Sequence, residues 1–316
     1  MGLAAALGAL LGSQAPAQDA AQEAASPAPT AEESAAVDEV VVRGRRMSEV
    51  EFDLHDYVRT FVNEITATPR GRGYARWHRD VCVGVHNVRE DAAQYIADRI
   101  SLLAAEVGLK PGKPGCRPDV MIVFTTSGIE TAAAMVENQP RLFEPNGGLG
   151  GMNLVYEDLK EFTVSDRPIR WWHVSMPVDS RTGNRAIIMA GDENPPVISV
   201  GGIPSHLQTG IRDDMWYVIV VVDATKLLGK TWQQLGDYLA VVSLAQIDAN
   251  ADLSAFDSIL NLFENPQAYS GLTDWDRSYM RALYGFNQER VPEIQSDDLV
   301  SRMARQETDA DENGAN

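Results

Sequence analysis

Residues 216–223 read Trp-Tyr-Val-Ile-Val-Val-Val-Asp, and residues 231–247 read Thr-Trp-Gln-Gln-Leu-Gly-Asp-Tyr-Leu-Ala-Val-Val-Ser-Leu-Ala-Gln-Ile. The first stretch is β-branched, aromatic and nearly uninterrupted, which is the pattern of a buried strand. In the second, Thr231 with Gln234 three residues on makes a capping box. Trp232, Leu235, Tyr238, Leu239, Val242 and Ala245 then recur at helical spacing and give a broad apolar face. A further capped helix starts at Thr273, with Asp276 at its third position, and closes at Leu283-Tyr284-Gly285. A strand, a long helix, a loop and a second helix therefore form the frame for the rest of the chain.

Upstream, Glu51 to Ile65 carries Phe52, Leu54, Tyr57, Val58, Phe61 and Ile65 at helical spacing. Tyr74 to Val85 predicts a first strand, Glu90 to Gly108 an amphipathic helix, Val120 to Thr126 a second strand and Gly128 to about Asn138 another helix. Ile169 to Met176 and Asn184 to Ala190 predict a hairpin around 179–183, and Val197 to Gly201 a short strand. Ile203 to Asp214 reads as irregular. Trp171 and Trp172 fall on opposite faces of a strand, so one ring is expected in the core and the other at a cleft or packed edge. From Gln288 the chain turns polar, and 287–316 is expected to be a largely disordered tail with one packing point at Leu299 to Met303. The reading is an α+β domain over 51–286.

Net charge is −18 and the pI is about 4.6, which argues against a phosphate-backbone partner such as nucleic acid. Leu3 to Leu11 is an Ala/Leu run too short to span a bilayer, and Ala15-Pro16-Ala17 offers a small-x-small cleavage pattern. Residues 1–17 read as a secretory signal, although a positive n-region is missing. On that reading the protein is expected in the periplasm. No other window approaches the ~20 apolar residues of a membrane span. Residues 18–50, rich in Ala, Pro, Gln, Glu and Ser, read as a flexible tether. Cys82 and Cys116 fit either one disulfide, as an oxidising compartment favours, or two buried thiols. A bridge closing that loop is worth roughly 3–4 kcal/mol in the chain-entropy model.

The order of elements, and the closing segment in particular, resembles matrixin-type zincins, a metalloprotease fold. There a strand leads into a helix bearing H-E-x-x-H-x-x-G-x-x-H, a turn follows, and a last helix opens Leu-Ser/Thr-x-x-Asp and ends Leu-Tyr-Gly. Here Ser258-Ile259-Leu260 stands at the turn, Leu272-Thr273-Asp274-Trp275-Asp276 at the cap and Leu283-Tyr284-Gly285 at the end. On that resemblance the three zinc-ligand positions fall on Asp237, Val241 and Ile247, and the general-base position on Tyr238. Zinc hydrolysis needs at least three converging N, O or S ligands and a group to take a proton from the bound water. The set here offers one ligand and no carboxylate base, so no metal or other cofactor is expected. Most of the chain is also similar to a family of uncharacterised exported alphaproteobacterial proteins with a shared Arg-Trp, Cys and Cys-Arg-Pro pattern.

Other chemistry-bearing residues are weaker. His55, His78, His86, His173 and His206 are scattered, with no two at ligand spacing. Ser127 follows a strand but lacks the G-x-S-x-G elbow that would make it a nucleophile with His173 as base. Asn146 to Gly151 lacks the context of a phosphate loop. Asp248, Asn250 and Asp252 have the one-three-five spacing of a calcium loop, without its Gly and Glu, and read as a turn.

Glu39-Val40-Val41-Val42-Arg43, followed by Gly44-Arg45-Arg46, resembles the TonB box of outer-membrane receptors. Such a segment binds by strand addition to an exposed sheet edge. The other reading is an edge strand that docks on this protein's own domain. Function is therefore expected to be that of an exported binding or scaffold protein with TonB or another envelope protein as partner. The rival is a periplasmic hydrolase using non-zinc chemistry beside helix 231–247.

Overall fold

The computed structural model describes residues 53–68, 72–143, 156–188, 197–198 and 207–314. The signal-like run, the tether and Glu39, Val40, Val41, Val42 and Arg43 lie outside the described residues, as do the loop 146–151 and His206.

Helices and a four-stranded mixed sheet make an α+β domain. In chain order the elements are α1 (Leu54–Ile65), β1 (Val83–His86), α2 (Glu90–Glu106), β2 (Val120–Thr125), α3 (Gly128–Asn138), α4 (Tyr156–Val164) and β3 (Ile169–Asp179). There follow β4 (Ile187–Ile188), β5 (Val197–Ile198), β6 (Ile211–Asp223), α5 (Trp232–Leu244), α6 (Asp274–Gly285) and α7 (Pro292–Gly314). The main sheet runs β1-β2-β6-β3, with β1, β2 and β6 parallel and β3 antiparallel at the edge. Strand β6 is therefore central. Its apolar half pairs with β2 from Val218 to Asp223 and with β3 on its other side, which is why Val218 to Val222 are all buried.

The sheet is covered on both faces. The main core joins α1, α2, α5, α6 and α7 to one face, and a second core of Ala132, Phe143, Phe162, Trp172, Val174, Ile219 and Val221 fills the other. The paired tryptophans divide between the two faces as their alternation predicts, with Trp172 enclosed in the second core and Trp171 also lining a cleft. Trp171 packs in the main core and Trp172 in the second, 7% and 0% exposed, because α3 and α4 cover the face that a lone strand would leave open.

Strand limits also differ from those read off the sequence. The strand that joins the sheet is Val83–His86, so only the last three residues of the 74–85 segment belong to it, and Tyr74 to Asp80 runs beside β6 with one bridge, Arg76 to Asp214. Strand β6 begins at Ile211, inside the stretch read as irregular, because β3 continues to Asp179 and pairs with it past a bulge at Val174/Ser175. Among the described residues the expected hairpin is present as a bridge between Val178 and Arg185, flanked by the Asp179 N–H on Asn184 O and the Ala186 N–H on Pro177 O, and β4 then pairs with β5. The hairpin turn is held by the Asp179 carboxylate, which accepts from Arg181 N, Thr182 N and Thr182 Oγ1.

The polar tail is the largest correction. Residues 292–314 form the longest helix of the described chain, and Leu299, Val300 and Met303 are fully buried against the main core. Three apolar residues within one turn and a half make a stripe too narrow to stand out among so many acids, yet wide enough to dock a helix. Gln295, itself buried, accepts from Tyr74 N and donates to Gln288 O and Arg290 O, which pins the helix start to the 72–74 segment. The domain thus extends well past Phe286.

Cys82 and Cys116 are disulfide-bonded, with their Cα atoms 6.0 Å apart. The bridge ties the approach to β1 to the turn before β2. Among the described residues no helix is long and apolar enough to cross a membrane.

Candidate functional site

Helix α5 is the element around which the site is built. Thr231 Oγ1 accepts from Gln234 N while Gln234 Oε1 accepts from Thr231 N, so the capping box read in the sequence is formed. Every residue from Gln234 to Leu244 is buried. A buried helix end must find partners for its last four carbonyls. Val241 O accepts from Ala245 N at 3.0 Å, and the other three take side-chain donors from distant parts of the chain. His173 Nε2 reaches Val242 O at 2.7 Å, Trp77 Nε1 reaches Ser243 O at 2.9 Å, and Tyr284 Oη reaches Leu244 O at 2.6 Å. Trp171 Nε1 extends the series to Ile247 O at 2.9 Å.

The residues at the positions implied by the zincin resemblance are placed as follows. Asp237 is buried and accepts from Arg99 Nε at 2.7 Å and from Leu272 N at 2.8 Å. Glycines on both sides allow this. A Cβ at Gly236 would lie 2.9 Å from Arg99 Cγ, and one at Gly271 would lie 2.5 Å from Asp237 Oδ2. The carboxylate is thereby spent in an ion pair with α2 and in holding the entry to α6. Val241 and Ile247 are apolar core residues without a donor atom to offer. This donor set does not fit a zinc ion, and among the described residues no three His, Cys, Asp or Glu side chains gather as a metal would need.

Tyr238 faces a different environment. Its ring meets Trp171 edge-on at 6.3 Å and Phe263 at 5.4 Å. With them it walls a cleft of about 240 Å³, floored by Ile169, Ile247 and Leu253 and rimmed by Arg167, Asp248, Asn261 and Glu264. Burial pushes the Tyr238 phenol well above its ordinary range, so it stays protonated and can donate but cannot serve as a base. Most of the polar rim is already engaged: Arg167 with Glu161 at 3.1 Å and Asn250 at 3.3 Å, and Asn261 Nδ2 with Leu253 O and Phe256 O. The arrangement can hold a ligand against three aromatic rings; among its described lining residues there is no Ser, Thr, Cys or His.

Below the cleft, Ser258-Ile259-Leu260 forms a tight turn locked to α6 by one carboxylate. Asp276 accepts from Ser258 Oγ, Ile259 N, Thr273 N and Thr273 Oγ1 at 2.6–3.1 Å. Burial raises the Asp276 carboxyl above its usual range, and these four donors pull against it.

The other candidates separate. His173, 0% exposed, is committed to α5, whereas Ser127 follows β2 and its backbone N–H is held by Thr125 Oγ1. His78 is bonded to Gln288 and stands 3.7 Å from Asp214. His55 starts α1, where its N–H donates to Asp53, and His86 is exposed at the end of β1. Asp248 and Asp252 each accept from the backbone two residues on, as turn residues do, and Asn250 faces Arg167. Sequence reading named Tyr238 and Trp171 without joining them, since the cleft walls come from segments far apart in the chain. No family model, curated protein or solved structure matches this chain.

Proposed function

We propose that this chain is an exported binding or scaffold protein of the cell envelope, on a zincin-like frame that has no zinc chemistry. The observation that carries the reading is the fate of the adjacent pair Asp237 and Tyr238: the carboxylate is bound to Arg99 and the phenol forms an aromatic wall in the cleft. An antiparallel edge strand before the last parallel strand, then a long helix with a tight turn beneath it, supports the zincin likeness. The disulfide supports an oxidising compartment such as the periplasm. The cleft is the binding surface of the domain. A hydrolase reading would have to draw its base from the rim carboxylates Asp248 and Glu264, since a phenol raised by burial does not supply one.

Two measurements test this. Purified protein dialysed against zinc is expected to hold far less than one zinc per chain and to show no metal-dependent peptidase activity. One zinc per chain, lost with Asp237→Ala, overturns the reading, as does hydrolysis of envelope peptides or esters that Tyr238→Phe abolishes.

In the same reading the N-terminal arm contacts TonB by strand addition through Glu39 to Arg43. A peptide spanning Asp38 to Arg46 is expected to bind the periplasmic domain of TonB by calorimetry. Val41→Pro is expected to abolish that binding, because proline removes a backbone donor from the ladder. No heat at high micromolar peptide leaves only the other reading, an edge strand that docks on this protein's own domain.

A further inference from the structure

On the sheet face opposite α5, a groove of about 420 Å³ opens between the C-terminal half of α3 and the strands β2 and β6. Its walls are Met121, Met135, Leu142, Phe143 and Ile219, which places it within the ~300–1,000 Å³ range of small-molecule sites. Methionines are unbranched and polarisable, and adapt to chains of variable shape. The groove shares Phe143 and Ile219 with the second core.

The groove is lined as well by the polar side chains of Thr131, Asn138, Gln139 and Tyr217. The only hydrogen bond of the Tyr217 hydroxyl among the described residues is a weak one to Met121 Sδ at 3.7 Å. Burial holds this phenol above its usual range, with Arg117 pulling it down and Asp119 pushing it up, so at neutral pH it remains a donor. Asp119 is neutralised by Arg79 at 2.8 Å. Arg117 lies within electrostatic reach of the phenol, is exposed, and has no ion-pair partner among the described residues. Register explains the grouping: Val120 pairs with Val218, so Met121 shares a face with Ile219 and Asp119 with Tyr217. Arg117 follows Cys116 directly, and the disulfide to Cys82 anchors the turn that carries it.

A mainly apolar slot lined by a phenolic donor, with an exposed arginine within electrostatic reach of that phenol, is complementary to a single-chain anionic amphiphile. We propose that this groove binds the alkyl chain of a fatty acid, with Arg117 and the Tyr217 hydroxyl holding its carboxylate. The site is separate from the aromatic cleft and stands whether or not the cleft binds a partner. On a chain of net charge −18, an exposed arginine within electrostatic reach of the Tyr217 phenol is the local feature that would draw an anion there.

The test is calorimetric titration of the full chain with tetradecanoate and with tetradecan-1-ol, below their aggregation limits. Both are expected to bind at one site, the acid more tightly. Arg117→Gln is expected to weaken the acid about tenfold, equivalent to ~1.4 kcal/mol, and to leave the alcohol within about twofold. Met135→Trp fills the slot and is expected to abolish both. Ala134→Trp, on a residue that also lines the groove, serves if that variant does not fold. The proposal is overturned by absence of saturable binding, by binding that folded slot-filling variants leave unchanged, or by equal loss of acid and alcohol in Arg117→Gln. Binding seen only with phosphatidylglycerol vesicles, and not with monomeric tetradecanoate, overturns it as well.

Discussion

Replacing Leu239 with Ala is expected to remove about 2–5 kcal/mol of stability, the range for deleting a leucine from a close-packed core. Leu239 is 0% exposed and lies midway along α5 in the main core, with Leu235 and Val242 on the same stripe. The neighbours cannot close over the space that Ala would leave. Both ends of α5 are fixed, one by the Thr231 capping box and Gln234 Nε2 bonds to Pro266 O and Tyr269 O, the other by the donors from His173, Trp77 and Tyr284. A pinned helix relaxes little, which places the cost towards the upper part of the range. Leu228 is the control. It is 92% exposed in the turn before α5, and Leu228→Ala is expected to change stability by less than ~0.5 kcal/mol. Urea denaturation of both variants makes the comparison. A Leu239→Ala cost below ~1 kcal/mol would remove α5 from the core.

How much of this was legible in the sequence depends on whether the information was local. The capping boxes at Thr231 and Thr273 were readable because each lies within four residues and uses residue types that have few other uses at such spacing. Strand β6 was readable in its apolar half, where both neighbours bury it. It was not readable over Ile211 to Met215, where Arg212, Asp213 and Asp214 break the pattern. Those charges have partners no local rule reveals: buried Asp213 is ion-paired with Arg72, 141 positions away. Helix α7 was lost for the opposite reason, since its three-residue stripe is local but narrow. The candidate site was half legible. That Val241 and Ile247 offer no metal ligand could be stated from their side chains alone, because no fold turns them into donors. The aromatic cleft could not be read in advance: it needs Trp171, Tyr238 and Phe263 together, and only the folded domain unites a strand, a helix and a loop residue. His173 was read as one of several scattered histidines. Nothing in its neighbourhood says that its proton caps a helix 69 residues on.

That proton leads to the second large effect, a loss of roughly 3 kcal/mol of stability between pH 6.5 and pH 4 that depends on His173. Val242 O can only accept, so Nε2 carries the hydrogen, and Nδ1 is left as a buried acceptor without a partner. Protonating Nδ1 would put an unpaired charge into the core. Burial therefore lowers the His173 pKa from 6.5 to about 4, only partly opposed by the bond to Val242 O. The sign follows from linkage. Between those two values the unfolded chain takes up a proton that the folded chain refuses, so stability is full above pH 6.5 and declines as pH falls towards 4. A gap of about 2.5 units at ~1.36 kcal/mol each gives the figure of roughly 3 kcal/mol. Two other effects act over the same range. Carboxylates begin to take up protons, and self-repulsion from the net charge of −18 relaxes as the pI of about 4.6 is approached. Both are common to wild type and to a variant with no titrating group at this position, so the difference between them isolates His173. In His173→Phe, Val242 O loses its donor and stability at pH 7 is expected to fall by about 1–3 kcal/mol. The variant's curve should then decline less steeply than wild type below pH 6.5, and the two should converge or cross near pH 4. Urea midpoints measured at half-unit steps from pH 7.5 to 4 make the comparison, and parallel curves would show that His173 takes up its proton in the folded protein as readily as in the unfolded chain.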